Sequence, residues 1–124
     1  MLEEAFKKRE QVERIVSEAR ENGKTPDLRM MNPRGAALWQ IELAGGQLVK
    51  SDFGGVFFRG AHLSRANFNN ANLTVADLIG ADLRQAILRN AKVGHAKLSR
   101  AHLMKADIRG AFLRVADLCV GVVQ

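Results

Sequence analysis

Residues 61–120 read AHLSR ANFNN ANLTV ADLIG ADLRQ AILRN AKVGH AKLSR AHLMK ADIRG AFLRV ADLCV, and alanine stands at every fifth position from Ala61 to Ala116. Two residues after each alanine comes a leucine or another apolar residue. On an α-helix five residues advance about 500°, so this apolar column would wander around the axis. In a flat strand the odd period would place successive leucines on opposite faces. The repeat therefore predicts a chain that turns a corner once per five residues and sends the same two positions inward each time.

The same register extends upstream to residue 26. We call the apolar position the centre of each five-residue unit and the alanine position its partner. Residues 26–120 make 19 units, and only Pro33 breaks the aliphatic or aromatic rule at the centre. The partner position is less regular before Ala61, so we expect the first turns to be wider or differently packed. The centres predicted to form the structural core include Leu63, Phe68, Leu73, Leu78, Leu83, Leu88, Leu98 and Leu103.

Glycine recurs at the last position of a unit. There the predicted corner would require a positive φ, which glycine adopts without steric cost. The glycines at this position are Gly35, Gly45, Gly55, Gly60, Gly80 and Gly110.

The A-[DN]-L-x-x units, seen most plainly in ANLTV, ADLIG, ADLRQ and ADLCV, resemble those of the pentapeptide repeat family. The resemblance covers about three quarters of the chain. It implies a right-handed parallel β-helix with a square cross-section, four units per turn, and the centre and partner positions inside. We therefore expect an all-β solenoid over residues 25–124, a right-handed quadrilateral parallel β-helix of nearly five turns. A narrow tube has room for one large and one small side chain per edge, which agrees with this expectation.

Residues 1–24 follow a different pattern. Apolar side chains recur at helical spacing between charged ones, and Asn22-Gly23 is a helix stop signal. The pattern predicts an N-terminal α-helix from about Leu2 to Glu21. This helix would either cap the apolar end of the solenoid or bind a partner through its apolar stripe.

Composition excludes several classes of protein. The 124-residue chain has no run of 18 apolar residues and no apolar signal core, so neither a membrane span nor a secretory leader is expected. Its single cysteine, Cys119, allows no internal disulfide and suits a reducing cytoplasm. No phosphate-binding glycine loop and no metal-ligand cysteine spacing occur. We expect no catalytic residue, no cofactor and no bound metal.

The charge distribution bears on the choice of partner. Residues 1–22 hold five basic and six acidic side chains, whereas residues 23–124 hold fourteen basic and seven acidic. The family resemblance implies that members which bind DNA gyrase do so as acidic mimics of duplex DNA, and the basic charge here weighs against that function. A basic nucleic-acid binder is a second alternative, although aspartates are interspersed and few aromatic residues could stack on bases. The sequence favours a non-enzymatic rigid scaffold for protein–protein interaction, with an unknown partner.

Two sets of outward residues are candidates for an interaction surface. With four units per turn, residues twenty apart would stack in columns about 4.8 Å apart. Arg89 and Arg109 would then share one column. Trp39, Phe57 and Ile79 would project from one face, where they are either covered by the N-terminal segment or form a contact patch.

One further column alternates acids and histidines. Glu42, His62, Asp82 and His102 are twenty residues apart and precede the centre of their units. Such a ladder could hold a metal or respond to pH. Alternatively, histidine is a polar substitute at a position that normally holds Asp or Asn, whose side chains bind nearby backbone groups. A flat column converges poorly on a tetrahedral ion, so the second reading is favoured.

No polar or helical segment follows the last repeat. The final turn would expose apolar side chains and unpaired edges, which solenoids normally protect. A second copy stacked about a two-fold axis would cover both ends. We therefore expect a homodimer through Leu118, Val120 and Val123, unless the chain is a fragment whose cap lies beyond Gln124.

Overall fold

The computed structural model describes residues 2–117. It begins with one α-helix, α1, over Leu2–Glu21, the bounds that the apolar spacing predicts. The chain then coils into a stack in which parallel bridges join residues twenty apart, from Asp27 with Gln47 to Lys97 with Asp117. Twenty residues therefore make one turn, and the bridged positions span four and a half turns. The right-handed sense of the coil stays a prediction from the family resemblance.

The bridges are isolated pairs, and residues 2–117 contain no extended strand. The expected β-helix is thus built from single bridged residues rather than from continuous strands. The reason is the corner every five residues, which leaves one residue per side with a partner on both neighbouring turns. Pro33 has no N–H to donate, and within the described residues no bridge joins positions 32 and 52.

Backbone hydrogen bonds join each unit to the next turn and close its own corner. Leu63 N–H donates to the Asp82 carbonyl, and the Asp82 N–H donates to the Ala61 carbonyl, both at 2.9 Å. Within the chain, the Ala66 N–H donates to the Leu63 carbonyl at 3.1 Å and closes a four-residue turn. The same pattern recurs through the stack, so the backbone polar groups are satisfied without long strands.

The corners have a left-handed backbone. Every residue at the last position of a unit from Met30 to Val115 has a φ between 57° and 71°. The six glycines predicted at corners take this conformation, but twelve other corner residues are not glycine. These include Val75 and Val115, although a positive φ is unfavourable for a β-branched residue. Glycine is therefore preferred at a corner without being required.

The interior of the tube holds the centres and their alanine partners. Alanines at the partner position from Ala61 to Ala101 are fully buried. The predicted core centres have exposed fractions between 0% and 6%; they are Leu63, Phe68, Leu73, Leu78, Leu83, Leu88, Leu98 and Leu103. Upstream, Ser51 takes a partner position and is buried. The fold tolerates this buried hydroxyl because it donates to the Leu28 carbonyl.

Helix α1 packs against the first turn of the coil. Val12 is 1% exposed and belongs to the same apolar cluster as the repeat centres. The Arg9 guanidinium donates to the carbonyls of Ala37 and Trp39, at 2.8 and 2.9 Å. The Ala37 N–H donates to the Ala5 carbonyl at 3.1 Å. These contacts place α1 where a cap would lie.

Nothing in residues 2–117 forms a helix with the length and apolarity that crossing a membrane requires.

Candidate functional site

Where the position before a centre holds Asp or Asn, its side chain can bind the backbone. An Asp or Asn side-chain oxygen there accepts the N–H two residues later, as Asp82 does from Arg84 at 3.1 Å and Asn72 from Thr74 at 3.0 Å. Such a local bond replaces a backbone acceptor at a turn. These carboxylates and amides are thus engaged in holding the fold, which leaves them poorly placed to act as catalytic groups.

Several arginines are tied to these same aspartates. Arg29 and Arg84 each lie 2.7 Å from an aspartate two residues earlier in the chain. The side-chain hydrogen bond from Arg29, together with its backbone N–H, lowers the pKa of Asp27 to about 2. The hydrogen bond from Arg84 likewise lowers the pKa of Asp82. The positive charge of these arginines is therefore largely balanced within their own units.

The candidate pair Arg89 and Arg109 lies on one face and shares a single carboxylate. Both guanidinium groups approach Asp107 at 2.7 Å. Their column carries a surplus of one positive charge rather than two. The face is thus less basic than the count of arginines suggests.

The acid–histidine column forms as a row on one face. Consecutive bridges join Glu42 to His62, His62 to Asp82, and Asp82 to His102. Asp82 is already bound to Arg84, which is the main cause of its lowered pKa, and His102 adds a smaller electrostatic contribution. Among residues 2–117 no three His, Cys, Asp or Glu side chains are grouped so that they could hold a metal ion. That the histidines are polar substitutes at this position stays a prediction.

The three candidate apolar residues of the surface lie on one face in three successive turns, the first of which lies beside α1. Trp39 and Phe57 are 37% and 42% exposed, and their ring centroids are 6.2 Å apart. Phe6 of α1 packs edge-on against Trp39 at 5.6 Å, while Ile79 is half-buried. Helix α1 thus covers one side of Trp39 and leaves the rest of the cluster exposed, and the contact patch stays a prediction.

The basic charge is concentrated in the last turns of the coil. A charge count that divides the chain only at residue 22 does not show this. Residues 1–83 carry eleven basic and eleven acidic side chains, whereas residues 84–124 carry eight basic and two acidic. The whole net charge of +6 therefore comes from the later segment. A count taken turn by turn along the repeat could have found this asymmetry.

One face of these last turns combines positive charge with exposed apolar side chains. It comprises the outward residues of the units 71–75, 91–95 and 111–115, which stack on one another in successive turns. We call it the basic apolar face. Its members are Val75, Lys92, His95, Phe112, Arg114 and Val115. None of them was a candidate site residue from the sequence, although Phe112 stands at a position that holds Asp or Asn in nine of the nineteen units.

Among residues 2–117, an interior channel is lined by apolar side chains, among them Leu83, Val93 and Leu103. The residues expected to form a dimer end, Leu118, Val120 and Val123, lie outside the described residues.

Comparisons with known proteins agree with the repeat. A model described as pentapeptide repeats matches eight copies, at residues 42–74, 51–90 and 88–118. A pentapeptide repeat protein from Nostoc PCC 7120 is similar in structure, with a TM-score of 0.74, 28% identity, and 91% of this chain and 93% of that chain covered. No curated protein sequence matches the chain.

Two further solved structures are similar over less of their length. A pentapeptide repeat protein of the Arabidopsis thaliana thylakoid lumen has a TM-score of 0.63 and 28% identity, with 73% of this chain and 66% of that chain covered. A trypsin-treated form of QnrB1, a plasmid-mediated fluoroquinolone resistance protein, has a TM-score of 0.52 and 24% identity. The match covers 76% of this chain and 46% of that chain. At that identity the likeness to QnrB1 concerns the fold alone.

Proposed function

Because the chain belongs to the pentapeptide repeat family, we propose that it is a non-enzymatic rigid scaffold for protein–protein interaction. The observation that carries the proposal is the regular stack, in which every turn is hydrogen-bonded to the next and side chains form the outer surface. Solenoids of this kind offer extended surfaces for binding. Within residues 2–117 the interior channel is lined by apolar side chains, which is not the lining that an active site requires.

The charge argues against a mimic of duplex DNA directed at gyrase. Such a mimic must present negative charge to a basic groove, whereas this chain has a net charge of +6. Supercoiling assays with purified gyrase should accordingly show no inhibition by this protein. A cytoplasmic location belongs to the same proposal, and fractionation of the source cells would test it.

Affinity capture tests the scaffold proposal. The full chain, immobilised through its N-terminus, should retain a protein partner of defined stoichiometry at physiological salt. The Phe57→Ser and Arg89→Ser variants, one on each candidate face, would show which of the two faces contributes. The absence of any captured or cross-linked protein, together with turnover of a small molecule by the purified chain, would overturn the proposal.

We also propose a homodimer through the C-terminal turn, involving Leu118, Val120 and Val123. What supports it is the exposure of the core column near that end, since Leu88 is 4% exposed and Ile108 is 38% exposed. Sedimentation at micromolar concentration should give a dimer that Val123→Asp dissociates. A clean monomer, unchanged by that substitution, would rule the dimer out.

A further inference from the structure

The basic apolar face has the composition of a protein-binding surface. We propose that it binds an acidic segment of another protein that also carries apolar side chains. This inference rests on the proposed scaffold function and names the face and the chemistry of the partner.

The apolar part of the face is unusually open to solvent. Val75, Phe112 and Val115 have exposed fractions of 58%, 62% and 65%. They lie on one side of the tube within three successive turns. Apolar side chains grouped in this way, and rimmed by polar ones, are typical of a binding surface.

The charge of the face has one sign. Its three units contain the cations Lys92 and Arg114 and no acidic residue. Within residues 2–117, neither Lys92 nor Arg114 forms a salt bridge. By contrast Arg34, which lies on the same side two turns before the unit 71–75, is bound to Asp52. Both cations are therefore able to pair with acidic groups of another protein. Complementary charge contributes to specificity at interfaces.

The shape of the face provides a place for a side chain. Gly94 lies between Thr74 and Arg114 in one column and is flanked by Lys92 and His95 in its own unit. A Cβ built on Gly94 would meet only the Arg114 carbonyl, at 3.5 Å. Residue 94 thus carries no side chain where Thr74 and Arg114 carry one, and we call this gap in the column the notch; exposed Phe112 lies in the next turn.

Between the turns of this face the backbone is already paired, so we expect the partner to bind through side chains. The N–H groups of Lys92 and Phe112 donate to the preceding turn, and those of Val75 and His95 donate to the following one. Between these turns the stack has no free edge that could accept an added strand. The partner would therefore contact the exposed apolar side chains and the cations.

A nucleic acid fits the face less well than an acidic protein segment does. A phosphate backbone would neutralise the cations but would lie charged against Val75 and Val115, and only Phe112 could stack on a base. A second copy of the chain would bring like charges together, which is unfavourable. An acidic and apolar segment satisfies both kinds of group at once.

A peptide-binding assay on the full chain tests the proposal. The probe is a fluorescein-labelled peptide of twelve residues repeating Asp-Leu-Glu-Phe, measured by anisotropy at physiological salt. We compare it with a peptide that has Ser in place of Leu and Phe, and with a labelled DNA duplex. The first probe should bind at least tenfold more tightly than either comparison. Equal binding of the serine peptide, or tighter binding of the duplex, would overturn the proposal.

Charge variants separate this face from general attraction. Lys92→Glu should weaken binding of the acidic apolar peptide about tenfold, since it reverses a charge beside the notch. Lys50→Glu changes the net charge equally but lies away from the face, and should weaken binding less than threefold. An equal effect of the two variants would show that only overall charge matters, and would refute a specific site.

Two packing variants test the notch while preserving the fold. Gly94→Leu fills it at a position without a positive φ, and Phe112→Asn supplies the acceptor that the repeat normally has there. Both should keep the wild-type melting temperature or raise it, and both should lower peptide affinity at least fivefold. An unchanged peptide affinity in both variants would refute the proposal. If a partner captured from cells is retained by all these variants, the face is wrong but the scaffold function stands.

Discussion

Two glycine-to-alanine substitutions should change stability in opposite directions, because only one of the glycines lies at a corner. Gly80 has a φ of 68° and no atom within 4 Å of an added Cβ. Gly94 has no positive φ, and its added Cβ would make an ordinary contact at 3.5 Å. Steric crowding is therefore absent at both positions, and only the backbone conformation distinguishes them.

The magnitude follows from two opposing effects. Replacing glycine by alanine restricts the unfolded chain and stabilises the fold by about 0.4–1 kcal/mol where the native φ permits. A left-handed backbone costs a residue with a Cβ about 1–2 kcal/mol. Gly94→Ala should then stabilise the protein by about 0.7 kcal/mol, and Gly80→Ala should destabilise it by about 1 kcal/mol.

Urea unfolding at 25 °C, followed by circular dichroism, measures both free energies of unfolding. The two variants differ from wild type by the same atoms, so each serves as the control for the other. We expect midpoints on opposite sides of the wild-type value. If both variants shift in one direction by the same amount, residue 80 is not a left-handed corner and the assigned register fails.

Three further outcomes are expected. Leu78→Lys, which places an unpaired charge in the core, should prevent folding, whereas Arg84→Ala on the surface should cost under about 1 kcal/mol in a thermal melt; equal melts would contradict the register. The lowered pKa of Asp27, about 2 against an ordinary 3.8, means that its ionised form contributes stability above pH 4 which is lost as the pH falls towards 2. Asp27→Asn should therefore flatten that part of the stability profile, and an unchanged profile would show that the ion pair does not contribute. Protein purified without added metal should contain no stoichiometric zinc, and zinc that disappears in a His62→Ala/His102→Ala variant would reverse that expectation.

The five-residue period carries most of the information about the fold. It predicts the buried centres, the small partner position and the corner glycines, because each follows from one inward direction repeated at each unit. It also implies the vertical columns, once four units per turn are taken from the family resemblance. The bounds of α1 follow from an independent signal, the helical spacing that ends at Asn22-Gly23.

Other features depend on contacts that the period does not encode. Among residues 2–117, nine of the twelve non-glycine corners donate their N–H to a carbonyl of the next turn, as Val75 does to Gly94 at 2.9 Å, and these bonds help to hold the positive φ. The sharing of Asp107 by Arg89 and Arg109 arises only when two turns are stacked. For the same reason, a charge count along the chain does not reveal which cations lack a partner on the surface.

The position before the centre shows where the surface departs from what the fold prefers. Asp or Asn there gains a local hydrogen bond with the N–H two residues on, worth about 1 kcal/mol. Phe57 and Phe112 cannot form that bond, and both residues are 42% or more exposed. Phe57 is explained within the fold, because its ring packs against Trp39 beside α1. Phe112 neither fills the core nor binds the backbone, and we expect that contact with another molecule explains its place beside Lys92 and Arg114, which form no salt bridge within residues 2–117.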